Sequence, residues 1–154
     1  MSAYVSAEAS WLDFCDDQYG RDDSPEAIAA SIESRLGTAR TVLVPLGLFH
    51  ADHILTYRAS AMLVAVDMRR CWIGYEDALY RSFSTLLCER VASLRAGGCL
   101  GERIARCENV DAMRMKRRAM ACYRSQLRAL SRVGVGHMDA LAPEGYWRLH
   151  SVTG

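Results

Sequence analysis

The chain has almost no net charge and no long apolar run. Its 19 Lys and Arg residues nearly balance 18 Asp and Glu residues, which leaves a formal charge of +1 at pH 7. So small an imbalance supplies no field that would attract nucleic acid or an anionic lipid surface. No stretch approaches the roughly 18 apolar residues of a membrane span, and the first residues lack the basic and apolar regions of a secretory signal. We therefore expect a cytoplasmic protein that binds neither nucleic acid nor membrane.

Several short motifs are missing as well. The six cysteines, at positions 15, 71, 88, 99, 107 and 122, include no CxxC pair. This argues against a cysteine zinc cluster and fits a reduced compartment. Neither a GxGxxG nor a GKS/T phosphate loop occurs, so the sequence gives little support to a nucleotide-binding α/β module.

What is present is the composition of an ordinary globular domain. The 154 residues are 51% hydrophobic and 24% charged, which is enough apolar material to bury a core in a chain of about one domain. We treat residues 1–154 as a single domain.

Apolar runs and helical periodicities alternate along the chain. Short apolar runs predict buried strands at 11–15, 41–44 and 71–75. Helical spacing predicts helices at 27–36, 52–67, 84–95 and 111–132. The first helix has an N-cap at Ser24, a proline at its first position and a stop at Gly37. This order predicts an α/β fold with a Rossmann-like open parallel sheet and flanking helices.

Polar residues follow each predicted strand. Asp16 comes after the first strand, and His50 and His53 come after the second. Glu76 and Asp77 follow the third. In open parallel sheets ligands bind beyond the carboxyl ends of the strands. We therefore expect these three loops to line one cleft.

His50 and His53 lie three residues apart at the start of a predicted helix. That spacing places both imidazoles on one side of the helix, and Asp52 between them is able to orient a ring or to hydrogen-bond the loop. Two histidines with a carboxylate suit zinc. Because an HxxH pair also arises by chance on protein surfaces, the spacing alone leaves a metal site and a chance pair both open.

The acidic and aromatic residues near the cleft allow two interpretations. The carboxylates of Asp16, Glu76 and Asp77 suit sugar hydroxyls or a metal, but such residues also cap helices and solvate loops. Tyr75 beside a carboxylate suits carbohydrate recognition, although packing is the commoner reason for an aromatic residue at such a place.

Two features near the end of the chain are interpreted as structural. The predicted helix at 111–132 is basic around an apolar stripe, which indicates a solvated face rather than a phosphate or RNA contact. Tyr146 and Trp147 are expected to make a closing packing contact rather than a binding site.

Several segments occur in an order that is known from one family. Residues 11–16 form an apolar run ending in an aspartate, residues 44–47 read VPLG, residues 50–53 read HADH and residues 75–80 read YEDALY. This set resembles the PIG-L or LmbE-like zinc-dependent N-deacetylases, in which a P-x-G segment leads to H-P-D-H and some members carry YEDLPY. Residues 116–126 and 144–147 resemble the family's closing segment. The resemblance spans roughly residues 10–148 and is far more specific than HxxH alone.

The resemblance implies an activity and roles for individual residues. Family members use zinc to remove an N-acetyl group from amino sugars or small conjugates. By the resemblance, His53 is a zinc ligand, His50 helps to protonate or stabilise the tetrahedral intermediate, and Asp52 orients a histidine. Asp16 is implied to bind substrate hydroxyls. The expected partner is an N-acetylated amino sugar or glycoconjugate.

One family segment has no counterpart in this sequence. Members carry an AHPDDE-like segment after their first strand, which supplies the other zinc ligands and the general base, and none occurs here. Because a catalytic zinc generally keeps three protein ligands, we expect an incomplete domain with weak or absent zinc binding and without the family's first strand. The sheet edge left exposed is expected to favour self-association. The alternative is a non-catalytic sugar-binding or interaction module.

Overall fold

A computed structural model describes residues 24–78, 80–81, 83–104, 110–123 and 141–150. Helices and strands alternate through the first of these ranges. The elements, in chain order, are α1 (Pro25–Leu36), β1 (Thr41–Pro45), α2 (Ala51–Val66), β2 (Cys71–Tyr75), α3 (Ser84–Ala96), β3 (Leu100–Ile104), α4 (Val110–Met120) and β4 (Tyr146–Leu149).

The first helix begins and ends where the sequence predicts. The Ser24 side chain accepts a hydrogen bond from the Ala27 backbone N–H at 3.2 Å, and Pro25 occupies the first helical position. Gly37 ends the helix with a φ of 48°, a value at which a side chain would be strained. Local capping chemistry alone therefore defines this element.

The β1–α2–β2 unit forms the centre of the fold. β1 pairs in parallel with β2, with Val42 opposite Trp72 and Val44 opposite Gly74, and α2 packs against both β1 and α1. The predicted strands at 41–44 and 71–75, the intervening helix and their parallel pairing are all confirmed. A strand–helix–strand connection of this kind is the normal way to join parallel neighbours.

The sheet as a whole is mixed, so the predicted all-parallel arrangement is wrong. The strand order is β1-β2-β4-β3, and β4 runs antiparallel to both β2 and β3. Neither β3 nor β4 is predicted from the sequence. β4 has only four residues, too few for a recognisable strand pattern. Its strand conformation depends on the hydrogen bonds that it makes with β2 and β3.

The core lies on one face of the sheet, which carries the side chains of Val44, Trp72, Trp147 and Leu149. Trp147 is buried there, in agreement with the expected closing contact of the aromatic pair. Leu46 is also fully buried, and a Cβ on Gly74 would come within 2.5 Å of its side chain. Glycine in the middle of β2 is therefore what lets the β1–α2 loop reach the core.

The opposite face of β1 is exposed at Leu43, although the sequence predicts a buried strand at 41–44. Leu43 is 58% exposed, because the helices described here pack on the other face. The predicted helix at 111–132 also ends early, since α4 stops at Met120 and the next two residues form a turn. The predicted strand at 11–15 lies outside the described residues. Within the described ranges, no helix has the length and apolarity needed to cross a bilayer.

Candidate functional site

Two hydrogen bonds from backbone N–H groups of the β1–α2 loop hold this loop against the end of β2. The Leu46 N–H donates to the Tyr75 carbonyl at 2.9 Å, and the Leu48 N–H donates to Oδ2 of Asp77 at 2.7 Å. Gly47 has a φ of 70°, and a Cβ there would lie 3.0 Å from the Ile54 Cα. Glycine is required at this position on both counts, and the resulting loop sets the start of α2.

His53 contacts the buried carboxylate of Asp77. Its Nδ1 lies 2.7 Å from Oδ1 of Asp77, whose side chain is 1% exposed, whereas the His53 side chain is 38% exposed. Neither atom makes a well-aligned hydrogen bond to any described residue, so this close approach is the interaction that offsets their burial. It assigns the proton to Nδ1 and leaves the lone pair of Nε2 available.

The pKa of His53 reflects this partner. The close contact of Nδ1 with the Asp77 carboxylate raises this pKa above the ordinary histidine value of 6.5, burial opposes the rise, and the charges of Asp77 and Asp52 reinforce it. The arrangement therefore stabilises positive charge on the imidazole, whether from a proton or from a cation bound at Nε2.

His50 has the opposite tautomeric preference. It is the N-cap of α2, and its Nδ1 accepts a hydrogen bond from the Asp52 backbone N–H at 3.3 Å. Oδ2 of Asp52 lies 3.7 Å from the same nitrogen. In the neutral ring the proton is then on Nε2, so His50 presents a donor where His53 presents an acceptor. The two ring centroids are 5.5 Å apart.

The adjacent carboxylate, Glu76, faces away from the histidines. Its Oε1 accepts from Arg103 at 2.8 Å and from the Trp147 indole N–H at 3.0 Å, and its side chain is 1% exposed. The Glu76 backbone N–H also donates to the Gly145 carbonyl at 2.9 Å. These contacts tie β2 to β3 and β4, and they leave the carboxylate no open surface for a ligand.

The structure brings four of the predicted site residues together. His50, Asp52, His53 and Asp77 come together at the start of α2. Tyr75 ends β2 beside them and is half-buried, and burial, reinforced by the Asp77 charge, raises its pKa. Glu76 belongs to the core. Asp16 lies outside the described residues.

Aromatic and basic side chains near the histidines were not singled out by the sequence. Phe49 precedes His50, and its ring lies 5.0 Å from that of Tyr80. Tyr57 follows His53 by four residues on α2, a spacing that places both on one helix face. The Arg90 guanidinium lies 4.3 Å from the Tyr57 ring centroid. The i,i+4 spacing of His53 and Tyr57 is visible in the sequence. The contact of Arg90 with Tyr57 is not, because it depends on how α3 packs against α2.

His53 fits one ligand position of a zinc site. A ligating histidine commonly donates its second ring N–H to a carboxylate, which is the relation of His53 to Asp77. His50 lies beside it, with its Nδ1 engaged by the helix start. Across the described part of the chain, no group of three His, Cys, Asp or Glu side chains is arranged to hold a metal ion. A complete site would thus need ligands other than those seen here.

Comparison with known proteins gives no relative: no family model, no curated protein and no solved structure matches this chain.

Proposed function

We propose that this chain carries the histidine-bearing part of a zinc-dependent amide hydrolase. Its substrate would be an amino sugar or sugar conjugate from which an N-acetyl or other N-acyl group is removed. The proposal includes a Rossmann-like arrangement that lacks the family's first strand, and a cytoplasmic location. It rests on one observation above all, the 2.7 Å contact between the buried Asp77 carboxylate and Nδ1 of His53.

The proposed role of His53 follows from that contact. A carboxylate buried behind one ring nitrogen fixes the orientation of the imidazole and raises the basicity of the other nitrogen. Nε2 of His53 would then hold the metal. A zinc ion so held supplies a Lewis acid that lowers the pKa of water and polarises the amide carbonyl. The other ligands would come from outside the described residues.

The proposed role of His50 follows from its cap. Because its Nδ1 accepts from the backbone, its Nε2–H is directed as a donor. Such a donor would stabilise, through a hydrogen bond, the oxyanion that develops on the carbonyl oxygen. The Asp52 backbone N–H would hold this ring in place, and the Asp77 carboxylate would do so for His53.

Zinc binding and acetate release together test this proposal. Because the described residues supply only part of a zinc site, we expect the purified chain to bind zinc weakly in a calorimetric titration, and the His53→Ala variant to bind it more weakly still. Asp77→Asn should retain the ligand atom and weaken zinc binding by roughly 10–100-fold, as for other carboxylates behind ligating histidines. His150→Ala removes a histidine from the other end of the sheet and is the matched control.

Acetate release from N-acetylglucosamine derivatives should follow zinc occupancy across these variants. Equal zinc affinity of the His53→Ala variant and the unaltered chain would contradict the proposed ligand. Sugar binding without any zinc binding would instead favour a non-catalytic sugar-binding module.

A further inference from the structure

Arg90 is held in one orientation by two different contacts. Its Nε–H donates to the Leu46 carbonyl at 2.8 Å, and its guanidinium carbon lies 4.3 Å from the centroid of the Tyr57 ring. Tyr57 is 6% exposed, so the surface beneath the guanidinium is part of the packed interior. The hydrogen bond to Leu46 fixes one edge of the guanidinium, and the Tyr57 ring fixes one face. The Arg90 side chain is therefore already ordered before a ligand binds.

The rest of the guanidinium has no partner among the residues that the structure describes. Arg90 forms no ion pair there, and its terminal nitrogens donate to no described atom, although the side chain is half-buried. A partly desolvated cation without an anion is unfavourable. The pair of terminal nitrogens presents the fork that matches a carboxylate or phosphate group.

The two residues that Arg90 contacts connect it to the histidine cluster. Leu46, which accepts from Nε, is two residues before Leu48, whose N–H binds Asp77. Tyr57 is four residues beyond His53 on the same face of α2, a rise of about 6 Å. The negative charge of Asp77 is also among those that act on Arg90, where it opposes the lowering of the Arg90 pKa by burial.

We propose that Arg90 forms an anion subsite of the hydrolase site, so that the substrate is an N-acyl amino sugar bearing a carboxylate or a phosphate. This inference rests on the proposed function for the identity of the sugar. The anion site itself stands on the geometry of Arg90, Leu46 and Tyr57. Arg90 binds through its two terminal nitrogens, and the Leu46 carbonyl and the Tyr57 ring orient it.

Calorimetric titration with three sugars tests the subsite. The probes are N-acetylglucosamine, its 6-phosphate, and N-acetylmuramic acid, which carries a carboxylate. We expect at least one anionic sugar to bind with a Kd about tenfold or more below that of the neutral sugar, because a charge-assisted bidentate contact is added. The phosphate and carboxylate probes distinguish the two sources of charge.

Substitutions of two arginines on α3 test whether Arg90 itself binds the anion or whether any positive charge on this helix would favour anionic sugars. Arg90→Gln should abolish the preference for the anionic sugar, by weakening its binding about tenfold or more to the level of the neutral sugar. Arg95→Gln is the matched control, since Arg95 is on the same helix and also stacks on an aromatic ring, that of Trp147, at 5.3 Å. If Arg90→Gln fails to fold, Arg90→Lys keeps the charge but loses the fork, and a reduced preference is expected.

Equal affinity of the unaltered chain for neutral and anionic sugars would overturn the subsite, as would an unchanged preference in a folded Arg90 variant. Failure of the two proposals is distinguishable. An anion preference without zinc or acetate release removes the hydrolase and keeps the subsite. Hydrolysis of the neutral sugar without any preference for the anionic sugars removes the subsite and keeps the hydrolase.

Discussion

Asp77 supports two neighbours with its two carboxylate oxygens. Oδ2 accepts from the Leu48 N–H at 2.7 Å and Oδ1 faces Nδ1 of His53 at 2.7 Å. One buried side chain thus joins the end of β2 to the loop and the first turn of α2. Its removal is expected to affect both the histidine and the loop, and these effects are separable by measurement.

The first prediction concerns the pKa of His53. In the metal-free protein, Asp77→Asn should lower this pKa toward 6.5 by removing the partner that raises it. Titration of the imidazole by NMR measures the change, and His150 in the same spectra is an internal control. An unchanged His53 titration would show that the contact does not operate in solution.

The second prediction is a pH dependence of stability with a defined sign. Because folding raises the pKa of His53, its contribution is fully present below the unfolded value and is lost as pH rises through the folded value. The contribution is on the order of 1 kcal/mol or less, since the ring is partly exposed and screened. Urea unfolding across this range should show the loss, and Asp77→Asn should flatten it.

The third prediction compares two glycines with positive φ. Gly47→Ala should destabilise the fold by about 1–3 kcal/mol, because the new Cβ meets both backbone strain and the Ile54 backbone. Gly37→Ala is the control, since φ is also positive but nothing lies within 4 Å of its Cβ. A smaller loss at Gly37 in urea unfolding is expected. Equal losses would mean that the packing at Gly47 adds nothing.

At the scale of elements, β4 is held between β2 and β3 by the Glu76 carboxylate. Glu76→Leu should cost about 2–4 kcal/mol, because it leaves the Trp147 indole and part of the Arg103 guanidinium without their acceptor. Glu102→Leu is the control, as its side chain is 77% exposed and 3.8 Å from Arg148. Denaturant unfolding checks this fourth prediction. Equal costs would contradict the role of Glu76 in joining the strands.

At the scale of the whole molecule, β1 is the terminal strand of the described sheet. Leu43 is 58% exposed on the face of this strand away from the helices, and the edge of a terminal strand is able to pair with another chain. We predict concentration-dependent self-association, weakened severalfold by Leu43→Lys. Val66→Lys, at a residue 76% exposed on α2, is the control in sedimentation equilibrium. A monomer at all concentrations would contradict this use of the edge.

Local interactions explain why part of the fold could be predicted from the sequence. Ser24, Pro25 and Gly37 define α1 through capping, and apolar runs of five residues define β1 and β2. The position of His50 and His53 at the start of α2 follows from the same local signals. Such elements are predictable because hydrogen-bond caps and periodicity act over a few residues.

Tertiary structure alone decided the rest. The insertion of β4, the burial of Glu76 and the pairing of Asp77 with His53 depend on contacts between residues far apart in the chain. Adjacent carboxylates at 76 and 77 look alike in sequence, and both follow the end of β2. Glu76 meets Trp147 and Arg103, whereas Asp77 meets His53 and the Leu48 N–H. The partner of each carboxylate is set by which distant segments pack around the end of this strand.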